Sequence, residues 1–172
     1  MPIVPDTKNW TWVLDEACTD CGLDTRTVDF TELPERFRRN AAAWPAVLAR
    51  TDVRVRPDES TWSPLEYGAH VRDVFRISDV RFRLMLAEDD PTFANWDQDE
   101  TAVEERYSEQ DPARVGDELL AAAETLAETL ESVPASALGR TALRSDGSRF
   151  TVESLGRYVL HDPVHHLHDV TR

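Results

Sequence analysis

The stretch Trp62-Ser63-Pro64-Leu65-Glu66-Tyr67-Gly68-Ala69-His70 opens a helix and places a metal-ligand residue type about two turns into it. Serine at the N-cap, proline at the first helical position and glutamate at the third form a capping box, which satisfies backbone donors that the first turn leaves free. Beyond it, Tyr67, Val71, Val74, Phe75, Phe82, Met85 and Leu86 recur at steps dominated by three and four. The spacing predicts a helix to about Leu86 with one apolar stripe. His70 lies at the edge of that stripe and Ser78 interrupts it.

Outward from this helix the same signals recur. A first helix is expected from about Thr31 to Arg50, with Pro45 kinking or breaking it. Asp111-Pro112 caps a third helix that runs through an alanine-rich stretch to about Ser132, where Val133-Pro134 stops it. Ser145-Asp146-Gly147 reads as the turn of a small hairpin within 140–152. A fourth helix starts near Thr151 and reaches almost to the C-terminus, bent at Pro163. Residues 88–110 are polar with scattered Phe93, Trp96 and Tyr107, and read as a long loop with a short helix, of the length that often forms a lid. Residues 1–28 are irregular. Asn9 to Leu14 has a strand-like composition, Cys18-Thr-Asp-Cys21-Gly22 reads as a turn, and Trp10 and Trp12 are expected to wrap the segment onto the body. The whole is an all-α chain, a four-helix bundle over 29–172 with an N-terminal extension over 1–28.

The totals exclude several functions. The chain has 172 residues and a formal charge of −14, from 33 acidic and 19 basic residues, of which only Lys8 is a lysine. With no basic patch, binding to a phosphate backbone is not expected, and neither is attachment to an anionic membrane. The arginine-for-lysine bias, with abundant Ala, Asp, Glu and Val, suggests GC-rich bacterial coding. Met-Pro-Ile-Val-Pro-Asp has no basic or apolar leader region and no stretch suits a membrane span, so a cytoplasmic protein with reduced cysteines is expected.

All five histidines fall in two places. His161, His165, His166 and His168 sit within eight residues, and His70 lies about ninety positions upstream. Imidazole is the commonest protein ligand for divalent transition metals. His161 and His165 have the i, i+4 spacing that puts two rings on one side of a helix. His70 completes a three-histidine site if the fold brings its helix alongside, and three ligands leave a coordination position open for chemistry. Solvated histidines at a helix end are the alternative. On a helical wheel, Tyr158, His161, His165 and His168 form one ridge, and His166 falls back toward the apolar face, the place of a core or supporting histidine. His168 is not expected to be a ligand. Glu66, Asp73, Asp162 and Asp169 lie close enough in sequence to orient these rings or to accept a proton.

Taken together, Trp62-Ser-Pro-Leu-Glu66-Tyr-Gly-Ala-His70 and His161-Asp-Pro-Val-His165 resemble the DinB-like superfamily over roughly residues 30–170. The resemblance implies an up-down-down-up bundle, commonly a homodimer, in which His70, His161 and His165 hold a divalent metal, zinc first and nickel or manganese as alternatives. It implies no nucleic-acid binding. Characterised relatives include thiol-dependent transferases and isomerases, among them mycothiol-dependent maleylpyruvate isomerase and bacillithiol transferases. The expected function is therefore transfer or isomerisation of a small molecule with a low-molecular-weight thiol, mycothiol in a chain with this coding bias, as cofactor. A metal-dependent hydrolase and a non-enzymatic binding module are the alternatives. Cys18 and Cys21 lie outside this resemblance. Two cysteines cannot fill a four-ligand zinc site, and nothing around them has the strand-to-helix context of a redox pair. A structural pair is the first reading, ahead of redox activity or a metal shared with a nearby histidine.

Overall fold

The computed structural model describes residues 9–172. The reading of the first eight residues, including the absence of a leader, lies outside the described residues. Among the described residues there are five α-helices: α1 Leu33–Leu48, α2 Pro64–Ala87, the short α3 Gln98–Glu104, α4 Pro112–Glu131 and α5 Val152–Thr171. Strands β1 Thr92–Phe93, β2 Thr141–Arg144 and β3 Arg149–Thr151 form one small sheet, with β1 parallel to β2 and β2 antiparallel to β3.

Long-range pairs give the topology of the four long helices. Arg72 on α2 meets Glu118 on α4, and Asp79 further along α2 meets Thr129 further along α4, so these two helices run parallel. Arg38 on α1 binds Glu124 and Glu131 on α4, while Gly116 lies against Leu48, so that pair is antiparallel. Leu33 approaches Gly156 and Arg50 donates to the Val170 carbonyl, making α1 parallel to α5. Helix α2 crosses α5 in the opposite sense, with Tyr67 against His166 and His70 against Asp162. The bundle is up-down-down-up, with α1 opposite α2 and α4 opposite α5 across the core.

Each helix begins where its caps dictate. In α2, the Ser63 hydroxyl accepts from the Glu66 amide and the Glu66 carboxylate accepts from the Ser63 amide. Arg56 pairs with the same carboxylate, which clamps the preceding loop to the helix start. Burial opposes ionisation of Glu66, but Arg56 and the Ser63 donors outweigh it and hold the carboxyl below its ordinary range. Asp111 caps α4, and Thr151 with Ser154 boxes α5. Both internal prolines are accommodated without a break. Helix α1 continues through Pro45 and α5 through Pro163. Asn40 of α1 donates to the Pro163 carbonyl at 2.8 Å and accepts from the Trp44 indole, which ties α1 to α5 beside the histidines.

Leu33, Phe37, Trp44, Phe75, Phe82, Met85, Leu119, Leu126 and Leu155 fill the interior. Close packing of α1 on α5 depends on Gly156, where a Cβ would lie 2.5 Å from Leu33 Cδ1 and 3.1 Å from Phe30 Cε2.

Two local expectations are corrected. Residues 10–14 form a 3₁₀ turn, not an extended segment. The Asn9 side chain accepts from the Thr11 amide at 3.0 Å, and this local bond competes with a strand ladder. Residues 88–110 carry α3 and a 3₁₀ turn at Tyr107–Glu109, and also contribute β1 to the hairpin sheet. A two-residue strand is too short to show a sequence period.

Candidate metal centre

Among the described residues, two groups of candidate donors lie along the last three turns of α5, one of them where the first half of α2 meets it. His70 is fully buried. Its ring stacks on Trp96 at 5.2 Å between centroids with planes 5° apart, packs against Trp62, and meets His166 edge-on at 5.0 Å. The loop before α3 therefore covers this histidine. His70 Nε2 lies 3.1 and 3.3 Å from the two oxygens of Asp162, whose Oδ1 is 3.8 Å from His166 Nε2. His70, Asp162 and His166 offer one donor atom each, all within 4.8 Å of one another.

A second group lies beside the first. His161 and His165 of α5 meet Cys18 and Cys21 of the N-terminal segment, again with four donor atoms mutually within 4.8 Å. Cys18 is buried, and its Sγ is 3.6 Å from His165 Nδ1. Gly22, at φ +75°, turns the chain after the cysteines, so that the Gly22 amide donates to the Cys18 carbonyl and the Cys18 amide to the Leu23 carbonyl, both at 2.9 Å.

The structure thus brings two of the three spacing-selected histidines together, His161 with His165, and places His70 in the other group. Asp162 and His166 were legible only as supporting residues, yet they carry the same i, i+4 spacing one residue further along. His168 belongs to neither group among the described residues.

The electrostatics separate the two groups. Burial opposes ionisation of Asp162, but interaction with the neighbouring His70 and His166 rings more than offsets it and holds the carboxyl well below the ordinary range. Burial, reinforced by His165, pushes His161 down to about 4, so its imidazole is neutral near pH 7, the form that ligates metal. Burial and the neighbouring Cys18 push the Cys21 thiol up to about 11. Asp169 stands behind both groups, with Oδ2 3.5 Å from His165 Nε2 and 3.4 Å from His166 Nδ1.

Two clefts meet at Asp162. One, of about 100 Å³, is lined by Trp10, Gln98, Tyr158, His161, Asp162, His165 and His166. The other, of about 90 Å³, shares Gln98, Tyr158 and Asp162 and adds Arg81, Asn95, Trp96 and Arg144. Arg144 is bound to Asp146. Arg81 donates to the Ala94 carbonyl and lies over the Phe93 ring, with no ion pair among the described residues. Burial and Arg144 lower its pKa to about 10, which leaves it cationic at neutral pH.

The model of the DinB superfamily matches residues 34–170. The chain belongs to the DinB superfamily. Among solved structures, this DinB protein is similar to YfiT from Bacillus subtilis, described as a probable metal-dependent hydrolase with an unusual four-helix bundle topology. That likeness has a TM-score of 0.66 and 18% identity, covers 99% of this chain and 93% of YfiT, and speaks to the fold. No curated protein gives a significant match. No described helix is long and apolar enough to cross a membrane.

Proposed function

We propose that this DinB protein is a metal-dependent enzyme acting on a small anionic molecule, with a divalent ion held by His70, Asp162 and His166. Two imidazoles and one carboxylate suit zinc and related divalent ions, and three protein donors leave a coordination position for a reactant. The donor set fits: Asp162 already sits within 3.3 Å of His70 Nε2, and Asp169 lies behind the second nitrogen of His166 as an orienting carboxylate. When bound, such an ion supplies Lewis acidity and favours the deprotonated form of a nucleophile at neutral pH.

The reaction class this geometry supports best is transfer or isomerisation assisted by a low-molecular-weight thiol. The observation that carries it is the pair of clefts meeting at Asp162, one on each side, so that two reactants could approach the same carboxylate. Arg81 would bind an anionic group of the substrate. Tyr158 borders both clefts, and its hydroxyl oxygen accepts from Arg144 at 3.1 Å, so its own proton is free to be donated to a substrate oxygen. Trp96, stacked on His70, shields that ring, and Gln98 lines both clefts. Hydrolysis is the second reading, favoured by the description of YfiT. Turnover of a panel of small carboxylate electrophiles, with and without added thiol, separates the two. Strict thiol dependence supports transfer or isomerisation, equal turnover without thiol supports hydrolysis, and retention of activity in His70→Ala contradicts both.

A further inference from the structure

We infer that Cys18, Cys21, His161 and His165 form a second, structural zinc site that fastens the N-terminal segment to the last helix and so builds one wall of the catalytic cleft. This site is independent of the three-donor group and would stand if the catalytic reading failed.

The ligand set is the first ground. Two cysteines separated by two residues and two histidines one helical turn apart are a donor combination and spacing that zinc takes in closed tetrahedral sites. Two thiolates and two neutral imidazoles also balance the charge of the ion. The geometry is the second. With Zn–S of about 2.3 Å and Zn–N of about 2.05 Å, a tetrahedral angle puts sulfur and nitrogen about 3.6 Å apart. Cys18 Sγ and His165 Nδ1 are separated by 3.6 Å.

Surrounding groups fit the same reading. Asp169 lies 3.5 Å from the other nitrogen of His165, where a carboxylate orients a ligating ring. His161 Nε2 is buried and has no hydrogen-bond partner among the described residues, which is costly unless another group satisfies it. The turn closed by Gly22 brackets the two cysteines, and their sulfurs lie within 4.8 Å of the same two histidine donors. Unlike the three-donor group, this one offers four protein donors and no vacant position, so its role is structural.

Its consequence reaches the cleft. Trp10, eight residues before Cys18, stacks on His161 at 5.5 Å with planes 30° apart and meets His165 edge-on at 5.5 Å. It lines the cleft beside Asp162 and His166. Fixing the cysteines to α5 therefore fixes Trp10 over the reactive end of the cleft.

Cobalt(II) substitution tests this with a readout that needs no substrate. Reconstituted wild-type protein should show a thiolate-to-cobalt charge-transfer band in the near ultraviolet and the intense visible bands of tetrahedral cobalt. The Cys18→Ser/Cys21→Ser variant should lose the charge-transfer band and one ion per chain, whereas His70→Ala should keep the band. In the zinc-loaded wild type, both thiols should resist a thiol reagent until a chelator releases the ion. Absence of the band in the wild type, its loss in His70→Ala, or free thiols in the zinc-loaded protein would each overturn the proposal, whether or not the double variant folds. Loss of an ion in His70→Ala with the band intact leaves this site standing, and absence of any His70-dependent ion removes only the catalytic reading.

Discussion

Two i, i+4 pairs run side by side along the end of α5, one residue out of register. His161 and His165 face the N-terminal segment and its cysteines, while Asp162 and His166 face α2 and His70. One residue on a helix is a rotation of about 100°, enough to point neighbouring side chains at different partners. The first pair completes a four-donor set that is closed. The second completes a three-donor set bordered by clefts. The difference teaches that histidine spacing identifies a ligating helix, but which ridge serves which site depends on what packs against each side.

The largest effect should come from His70→Ala. Loss of a supporting residue alone weakens metal sites by about 10–100-fold, so loss of this donor should lower affinity at the open site by more than about 100-fold. Isothermal titration of the metal-free variant with zinc should then show only the tighter, thiolate-dependent event. Disappearance of both events would mean that the two ridges form one site.

Next comes Asp169→Asn, which addresses the link between the ridges. Because Asp169 lies near the second nitrogen of both His165 and His166, its replacement should weaken both ions by about 10–100-fold. A change confined to one of them would show that the carboxylate serves one ridge only.

The expectation for Cys18→Ser/Cys21→Ser is smaller and more local. The bundle keeps its core, so the melting temperature should fall by only about 2–4 °C, equivalent to about 1 kcal/mol in a chain of this size. Trypsin should cut at Arg26 sooner as the segment loosens. Global unfolding of this variant would show that the segment is part of the folding core.

The fold was mostly legible from local chemistry. Ser63-Pro64-Leu65-Glu66, Asp111-Pro112 and Thr151 mark three helix starts that the structure reproduces, because capping is decided within a few residues. The turn of the hairpin at Asp146-Gly147 was legible for the same reason. The site was legible only in part. His166 lies nearer the apolar side of α5 than His161 does, and on spacing alone that reads as a core histidine. Yet the apolar side is where α2 packs, so a donor from α2 meets α5 there. His70 was correctly drawn to α5, but the residues it meets follow from helix packing, which no single-helix period reports. Cys18 and Cys21 were further out of reach. Their partners lie 140 or more positions away, brought close by a segment with no regular period. Two cysteines look insufficient for zinc until those histidines arrive.

The smallest effect on either ridge should come from Asp73, on the side of α2 that faces α4. Its carboxylate binds Arg72 at 2.8 Å and accepts from the Tyr107 hydroxyl at 2.6 Å. Burial opposes ionisation, but Arg72 and Tyr107 outweigh it and hold the folded pKa below the ordinary value. Such a group stabilises the fold above the unfolded pKa of about 4, and that contribution is lost as pH falls through the lower folded value. Asp73→Asn should therefore cost about 1–3 kcal/mol at neutral pH and flatten the acid limb of the stability profile, while both ions bind as in the wild type. An altered metal stoichiometry in this variant would mean that the α2–α4 side is coupled to the ligands.

The separation of the two ridges is tested most directly by crystallography of the zinc-loaded protein with anomalous difference maps at the zinc edge. Two peaks are predicted, one bound by Cys18, Cys21, His161 and His165 and the other by His70, Asp162 and His166. A single peak bound by His70, His161 and His165 would contradict it.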